Sequence, residues 1–506
     1  MLAQVRSFVL QGVEAHPCEV EVDLADRGMV KTTIVGLPDA SVKESVERVR
    51  SAMINSGFPF PMSRLLVNLA PAELKKEGPV YDLPIAVGLL LAGQSVEGER
   101  HRRLMFAGEL ALDGRLRPVK GAISLARLAA REGAAGLVVP LENAKEAAAA
   151  ADDGLAVYPA DSLASVVGFL NDQREIDPEP PVDADGLIAT ADPEVDFADV
   201  RGQEAVKRAL TVAAAGGHNV LMVGPAGTGK TLCARALAGV LPPLSRAEAL
   251  EATAIYSAAG QLNSGRSLVT HRPFRAPHHT ASAPALIGGG SIPKPGEVSL
   301  AHHGVLFLDE LPEFSRTVLE TLRQPLEDGV VTIARAHSSI RFPARFMLVA
   351  AMNPTPGGDF ATDESSQREM DRYLSRISGP LVDRVDIHVE VPRVPYRQLT
   401  GPRDGTDTAT MRDAVTAARD RQADRPGQEG RPNATLSHRQ LDTLAPLDEP
   451  SQELMKQAVN QMGLSARAYD KIRRLSRTIA DLAECHAIGL EHVSEAIQYR
   501  LLDRRT

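Results

Sequence analysis

The chain has 506 residues, 43% of them hydrophobic and 24% charged, with a formal net charge of −9. That length and apolar content suffice for two or three domains with separate cores, while the acidic balance excludes an overall basic footprint for nucleic acid. Cys18, Cys233 and Cys485 lie far apart without ligand spacing, which excludes a disulfide framework and suggests a reducing, cytoplasmic setting. No run of about 18 apolar residues is present to span a membrane, and the start lacks the apolar core of a signal peptide.

From the amino end, Ser7–Leu10 and Cys18–Leu24 alternate as half-buried strands do, and Lys31–Val35 continues the pattern up to Gly36-Leu37-Pro38. Asp39 is placed to cap a helix running to about Ser56, with Val42, Val46, Val49 and Met53 on one face. Arg64–Leu69 reads as a strand and Leu83–Leu91 as an apolar helix. Strand and helix alternate again through Met105–Leu110, Gly121–Glu132, Leu137–Val139 and Asn143–Ala151. These segments predict an α/β domain over residues 1–171. Residues 172–195, with Asp177-Pro178-Glu179-Pro180-Pro181, predict an acidic, Pro-rich, solvated linker.

Gly224-Pro225-Ala226-Gly227-Thr228-Gly229-Lys230-Thr231 has the spacing of a phosphate-binding loop. An apolar strand, Asn219–Val223, precedes it and a helix, Leu232–Leu241, follows, which is the context the motif requires. Such glycines turn successive backbone N–H groups inward, and the helix N-terminus adds positive potential for phosphate. Lys230 is then suited to the β- and γ-phosphates of ATP and Thr231 to Mg²⁺. Gly304–Leu308 is a second buried strand that ends in Asp309 and Glu310, an acid for the Mg²⁺ shell and an acid to polarise water. Between these motifs, the adjacent His278 and His279 raise the question of a metal site. No carboxylate or Cys stands at ligand spacing beside them, so they read as loop residues. Val330–Arg335 and Ser339–Phe342 predict a hairpin with its tip near Ala336-His337-Ser338, and Phe346–Met352 a strand ending at Asn353. Beyond the polar stretch 401–435, with one helix at Thr410–Ala423, the chain reads as four helices: Ser437–Leu444, Pro450–Met462, Ser465–Ala483 and Glu491–Tyr499.

Several phrases carry a resemblance. Val67-Asn68-Leu69-Ala70-Pro71-Ala72, Asp82-Leu83-Pro84-Ile85-Ala86 and Gly108–Gly114 resemble the S5-like α/β domain shared by magnesium-chelatase-like ATPases and the Lon protease. The protease nucleophile and its lysine have no counterpart here, since Val80 follows Gly78-Pro79 and Gly121–Ala126 contains no Lys, so no peptidase is expected. Residues 196–400 resemble a magnesium-chelatase-type AAA+ core with a parallel sheet, and 401–506 its C-terminal helical lid. Arg-Pro-Phe-Arg-Ala-Pro-His-His at 272–279, residues 300–314 and Arg-Ile-Ser-Gly-Pro-Leu at 376–381 are similar, more narrowly, to the bacterial YifB/ComM family. The resemblance implies that Val200 and Gly202 flank adenine, that Asn353 orients the attacking water, and that Arg467 is a sensor for the γ-phosphate. It also implies an arginine finger acting on a neighbouring subunit, with Arg384 as candidate and Arg376 as runner-up. Relatives often carry Cys pairs after the Asn-Pro; residues 355–367 here contain none, so no zinc knuckle is expected.

The family resemblance implies Mg²⁺-dependent ATP hydrolysis by a homo-oligomer, a hexameric ring, driving branch migration or helicase action on single-stranded or branched DNA. His278, His279, Lys294, Arg335 and His337 are the candidate DNA contacts. The competing reading is a protein-remodelling ATPase of the chelatase motor type, without DNA.

Overall fold

Alternation in the first strands becomes two opposed cores. Along Glu14–Ala25, Cys18, Val20, Val22 and Leu24 are buried while Glu19 and Asp23 face solvent. The computed structural model describes residues 1–25, 31–151, 154–190, 194–263, 265–290, 293–335, 338–355, 368, 373, 376–377, 379–400 and 405–500. His337 and the Cys-less stretch 356–367 therefore lie outside the described residues. The described residues form two compact units, one of 1–187 with 245–270, the other of 188–244 with 271–506.

In the first unit, β1 (Leu2–Gln11), β2 (Glu14–Ala25), β3 (Lys31–Val35), β4 (Arg64–Ala70), β5 (Leu104–Phe106), β8 (Gly136–Pro140) and β9 (Ala156–Ala160) make a mixed sheet of order β3-β4-β2-β1-β5-β8-β9. A small separate hairpin, β6 (Glu109–Leu110) with β7 (Leu116–Arg117), interrupts the strand order. Val5 and Val9 of β1 face a core shared with helices Ala40–Asn55 and Asp82–Ala92. Phe8 faces the other core, built on helices Ala122–Arg131 and Leu141–Ala149. The expected cap is present, Asp39 accepting from the Val42 N–H at 2.8 Å. Asp82, fully buried, accepts from Arg48 Nε at 2.8 Å and Nη2 at 3.0 Å and from the Leu110 N–H at 3.2 Å, so this motif residue pins its helix to the first one. Val80 packs half-buried against the core. The stretch after Leu170 is less solvated than its composition predicts: the Glu179 N–H donates to the Val157 carbonyl at 2.8 Å, and Ile176 and Val182 rest on the cores.

Helix Arg246–Ala259, which follows the phosphate loop in sequence, belongs to this first unit. Ser245 closes a capping box with Glu248 at its start. Ala254 is buried in the second core, and Ser257 Oγ donates to Glu146 Oε1 at 2.5 Å while accepting from the Gly121 N–H at 2.8 Å. Glu146 also accepts from the Ile123 N–H at 3.0 Å and Asn143 Nδ2 at 3.1 Å. A serine and a carboxylate thus serve the free N–H groups at the start of helix Ala122–Arg131.

The second unit holds a five-stranded sheet of order β11-β14-β17-β10-β18, every pair parallel: β10 (Val220–Val223), β11 (Phe274–Arg275), β14 (Val305–Leu308), β17 (Met347–Met352) and β18 (Ile387–Glu390). Strands β10, β14 and β17 are buried throughout, which is why they read as unbroken apolar runs. Two ribbons lie outside it, β12 (Gly288–Gly289) with β13 (Lys294–Pro295) and β15 (Val330–Arg335) with β16 (Ser338–Pro343). The helices Thr408–Asp424, His438–Leu444, Glu449–Met462, Ala466–Leu482 and Leu490–Gln498 share one core with the sheet, Ile472, Leu475 and Ile479 joining Val220, Val349 and Ile387. The fold class is as expected: α/β units with a parallel nucleotide-binding-type sheet and a C-terminal helical region.

Removing the Ser257 hydroxyl leaves Glu146 short of a donor and the Gly121 N–H without its acceptor. Ser257→Ala is expected to lower local stability by about 1–3 kcal/mol, read as faster amide exchange across residues 121–131 in the full chain. Burial raises the Glu146 pKa, with Ser257, Ile123 and Asn143 opposing the rise. A raised carboxyl pKa makes its contribution to stability greatest below the ordinary carboxylate value, and that contribution is lost as pH climbs through the folded value. Glu146→Gln is expected to flatten this decline, checked by the same exchange measured over a pH series.

Candidate nucleotide site

The loop leaves β10 with Gly224 pressed against the chain following β18: a Cβ there would stand 2.2 Å from the Val391 carbonyl oxygen. Gly227 (φ +76°) and Gly229 (φ +90°) take left-handed conformations that glycine adopts without strain, and the helix Lys230–Val240 begins directly after them. Thr228 Oγ1 donates to the Pro225 carbonyl at 2.9 Å and braces the turn. Lys230 is buried and its Nζ donates to the carbonyls of Gly224 at 2.6 Å and Pro225 at 2.8 Å and to Asn353 Oδ1 at 3.2 Å. Burial lowers the Lys230 pKa, while the charges of Asp309 and Glu310 act against that shift.

The sheet register brings the remaining groups to this loop. Val223 pairs with Met352 and Leu308 with Ala350, so Gly224, Asp309 and Asn353 all emerge at the carboxyl edge. Thr231 Oγ1 donates to Asp309 Oδ2 at 2.9 Å, bringing together the two residues proposed for Mg²⁺. Asp309 Oδ1 accepts from the Glu310 N–H at 2.9 Å, and Glu310 sits at φ +51°, with its side chain half exposed. On the other flank Val200 is buried and Gly202 (φ +59°) follows it. Gln203 Nε2 donates to the Pro392 carbonyl at 2.7 Å and the Thr228 carbonyl at 3.4 Å, joining the Val200–Gly202 segment to the loop.

Two sequence-predicted groups belong elsewhere in the unit. Arg384 precedes β18, so it lies at the amino end of the strands; its guanidinium pairs with Glu327. Arg467 lies beside it, with Nη1 3.7 Å from Asp383 Oδ2, and is not brought to the loop of its own chain. Arg376 pairs with Glu313 at 3.1 Å, three residues past Glu310.

The candidate DNA contacts divide likewise. His279 Nδ1 is 3.1 Å from Glu310 Oε2, its ring centred 4.2 Å from that of His278 at a tilt of 33°, and His278 bonds Thr280 Oγ1 at 2.9 Å. His279 therefore belongs to the candidate catalytic edge. Lys294 is exposed on its ribbon, and a Cβ on Gly288 of that ribbon would meet Ile333 Cδ1 of the other ribbon at 3.2 Å, so the two ribbons adjoin. Arg335 pairs with Ser338 through the backbone at the end of β15. Arg272 and Arg275 have structural partners: Arg272 binds the carbonyls of Pro242 at 2.6 Å and His303 at 2.8 Å, and Arg275 makes a two-point pair with Glu297 at 2.6 and 2.7 Å. Gly304 must be glycine, because a Cβ would lie 2.0 Å from the Pro273 carbonyl oxygen.

Comparison with known proteins gives the family. The family model described as magnesium chelatase, subunit ChlI, matches residues 196–399; subunit ChlI of Mg-chelatase matches 20–143, and the ChlI C-terminal model 405–500. The competence protein ComM of Haemophilus influenzae is 45% identical over 514 residues, covering 99% of this chain and 98% of its own. The chain belongs to the YifB/ComM family of magnesium-chelatase-like AAA+ ATPases. The YifB protein of Escherichia coli is 42% identical with the same coverage, and the magnesium-chelatase 38 kDa subunit of Rhodobacter capsulatus is 29% identical over 180 residues, 32% of this chain and 51% of its own.

In this family member, motif reading located the loop and both acids but missed Gln203, Asn219 and the His279–Glu310 contact. Asn219 Nδ2 donates to the Arg384 carbonyl at 2.9 Å and its Oδ1 accepts from the Leu348 N–H at 2.8 Å. Its place just before an apolar strand was the one available signal. No helix among the described residues is long and apolar enough to cross a membrane. Because His279 touches the Glu310 carboxylate, His279→Ala is expected to lower kcat about ten- to a hundred-fold by freeing that side chain, with ATP affinity unchanged. Steady-state turnover with a separate nucleotide-binding titration checks this; lost DNA affinity at unchanged kcat would return His279 to the DNA contacts.

Proposed function

We propose that the chain hydrolyses ATP with Mg²⁺ in a homo-oligomeric ring, expected to be hexameric, and couples turnover to movement on single-stranded or branched DNA. The observation that carries the ATPase reading is the meeting of Lys230, Thr231, Asp309, Glu310 and Asn353 at one edge of one sheet. The loop amides and the Lys230 ammonium bind the phosphates, the ammonium exchanging its loop carbonyls for phosphate oxygens. Mg²⁺ fits the adjoining Thr231 hydroxyl and Asp309 carboxylate, whose 2.9 Å contact brings two hard oxygen donors together; when bound it neutralises charge on the phosphate oxygens. Glu310 takes the proton of the attacking water and Asn353 orients that water.

Arg384 and Arg467 are assigned to a neighbouring subunit's nucleotide. They flank Asp383 at the amino end of β18, and roughly 13 Å of strand separates that end from the loop edge. Arg376, paired close to Glu310 in its own chain, suits that role less well. The DNA reading is supported by the adjoining ribbons that carry Lys294 and Arg335 and by the full-length similarity to a protein named for competence. The relatives named as chelatase subunits match only part of this chain.

Arg384→Ala is expected to preserve ATP binding and to lower turnover by about three orders of magnitude, measured by nucleotide titration and phosphate release. Turnover is further expected to rise with single-stranded or four-way-junction DNA and to lose that stimulation as salt increases. Indifference to every DNA at low salt would favour a protein-remodelling motor.

A further inference from the structure

We infer that Lys471 is a positioning residue: it fastens the segment Gly379–Asp386, which carries Arg384, to the lid helix that carries Arg467, so that both guanidinium groups are presented as one unit. The inference rests on the proposed use of these two arginines by a neighbouring subunit. Lys471 lies one helical turn beyond Arg467 in helix Ala466–Leu482, and its side chain is only 8% exposed. Its ammonium donates to the Asp383 carbonyl and to the Val385 carbonyl at 2.8 Å, and stands 3.5 Å from Asp386 Oδ1. Two carbonyls and a carboxylate match the three N–H groups an ammonium offers. Every one of these acceptors lies within three residues of Arg384, and the Asp383 carboxylate is the one Arg467 faces.

The segment is held from its other side as well. Asn219 donates from Nδ2 to the Arg384 carbonyl at 2.9 Å and from its backbone to Asp386 Oδ2 at 3.0 Å, and Arg500 Nη1 donates to the Val385 carbonyl at 2.8 Å. Asn219 directly precedes β10, the strand that ends in the phosphate loop. Lys471 is therefore the buried link from this helix, beside the exposed Arg467 contact, to a segment held also by Arg500 beyond the last helix and by Asn219 at the start of the sheet. Burying an ammonium and a carboxylate contributes little to stability compared with well-packed apolar side chains of the same size, whereas the acceptors fix a single register. A leucine or methionine here would fill the space without holding the loop, which is the physical case for a role beyond packing.

The experiment uses full-length subunits and mixed assemblies. Lys471→Met is expected to keep its nucleotide affinity and KM for ATP while losing tenfold or more in kcat, because its own loop edge is intact and only what it presents outward is disordered. Mixing it with Glu310→Gln, whose loop edge is inactive but whose outward arginines are intact, is expected to restore turnover above the sum of the two parents. An Arg384→Ala and Glu310→Gln mixture is the reference. If the reference pair restores activity and the Lys471 pair does not, Lys471 is a structural residue and the inference fails alone. If neither pair restores it, the arrangement across subunits fails with it. Should Lys471→Met prove insoluble, Lys471→Arg, whose planar fork cannot satisfy the same three acceptors, is carried through the same mixture, with restoration supporting the inference and its absence overturning it.

Discussion

Three parallel strands lying in fixed register are the constraint on which the candidate nucleotide site depends. Val223 against Met352 and Leu308 against Ala350 carry Gly224, Asp309 and Asn353 to a common edge from positions 85 and 44 residues apart in the chain. A one-residue slip in any pair would turn the acid or the amide to the opposite face of the sheet. The close contacts around the sheet enforce that register. Gly304 lies under the Pro273 carbonyl and Gly224 under the Val391 carbonyl, where any larger residue would force the strands apart. The two arginines of the Arg-Pro-Phe-Arg phrase act in the same sense, tying β11 to neighbouring carbonyls and to Glu297.

The sheet also has a second end, and it is organised just as tightly. Asn219 and Asp386 form its centre: Asp386 Oδ2 accepts the Asn219 N–H, and the Asn219 carbonyl accepts the N–H groups of both Asp386 and Ile387. Burial works against charge on Asp386, yet Lys471, His218 and the Asn219 N–H together hold its carboxyl far below the ordinary carboxylate range. A carboxylate so held remains charged at any physiological pH, so the contacts around Arg384 do not titrate away. One edge of the sheet carries the groups proposed for hydrolysis and the opposite end adjoins the two arginines proposed for a neighbouring subunit, a polarity that suits the head-to-tail arrangement proposed.

The fold was legible where chemistry leaves a local mark. The glycine spacing of the phosphate loop, four buried apolar residues before Asp309-Glu310, and the cap at Asp39 each express a constraint settled within ten residues. What escaped reading depends on tertiary neighbours. His279 carries the same pattern whether it faces solvent or Glu310, and only the packing of its loop decides between them. Arg467 matches a sensor by its position in a helix, but position in a helix does not tell at which end of a distant sheet the helix docks. Residues 172–187 have the composition of a solvated linker, yet three apolar or backbone groups suffice to lay the chain on a core.

The least legible feature is the place of one helix. Helix Arg246–Ala259 follows the phosphate-loop helix by five residues and is counted, by sequence order, within the ATPase segment. Its partners are the start of helix Ala122–Arg131 and the buried Glu146, more than a hundred residues earlier. No periodicity announces this, because an Ala-rich helix with one serine looks the same wherever it packs. The physical consequence lies in folding. Residues 1–187 alone would leave the Gly121 N–H without Ser257 and the Glu146 carboxylate without its shortest donor. The first unit therefore takes part of its core from a segment that follows β10 and the phosphate-loop helix in the chain. Such a non-local closure is slow to form, and it makes residues 1–187 depend on residues 245–270 of the same unit for a complete core.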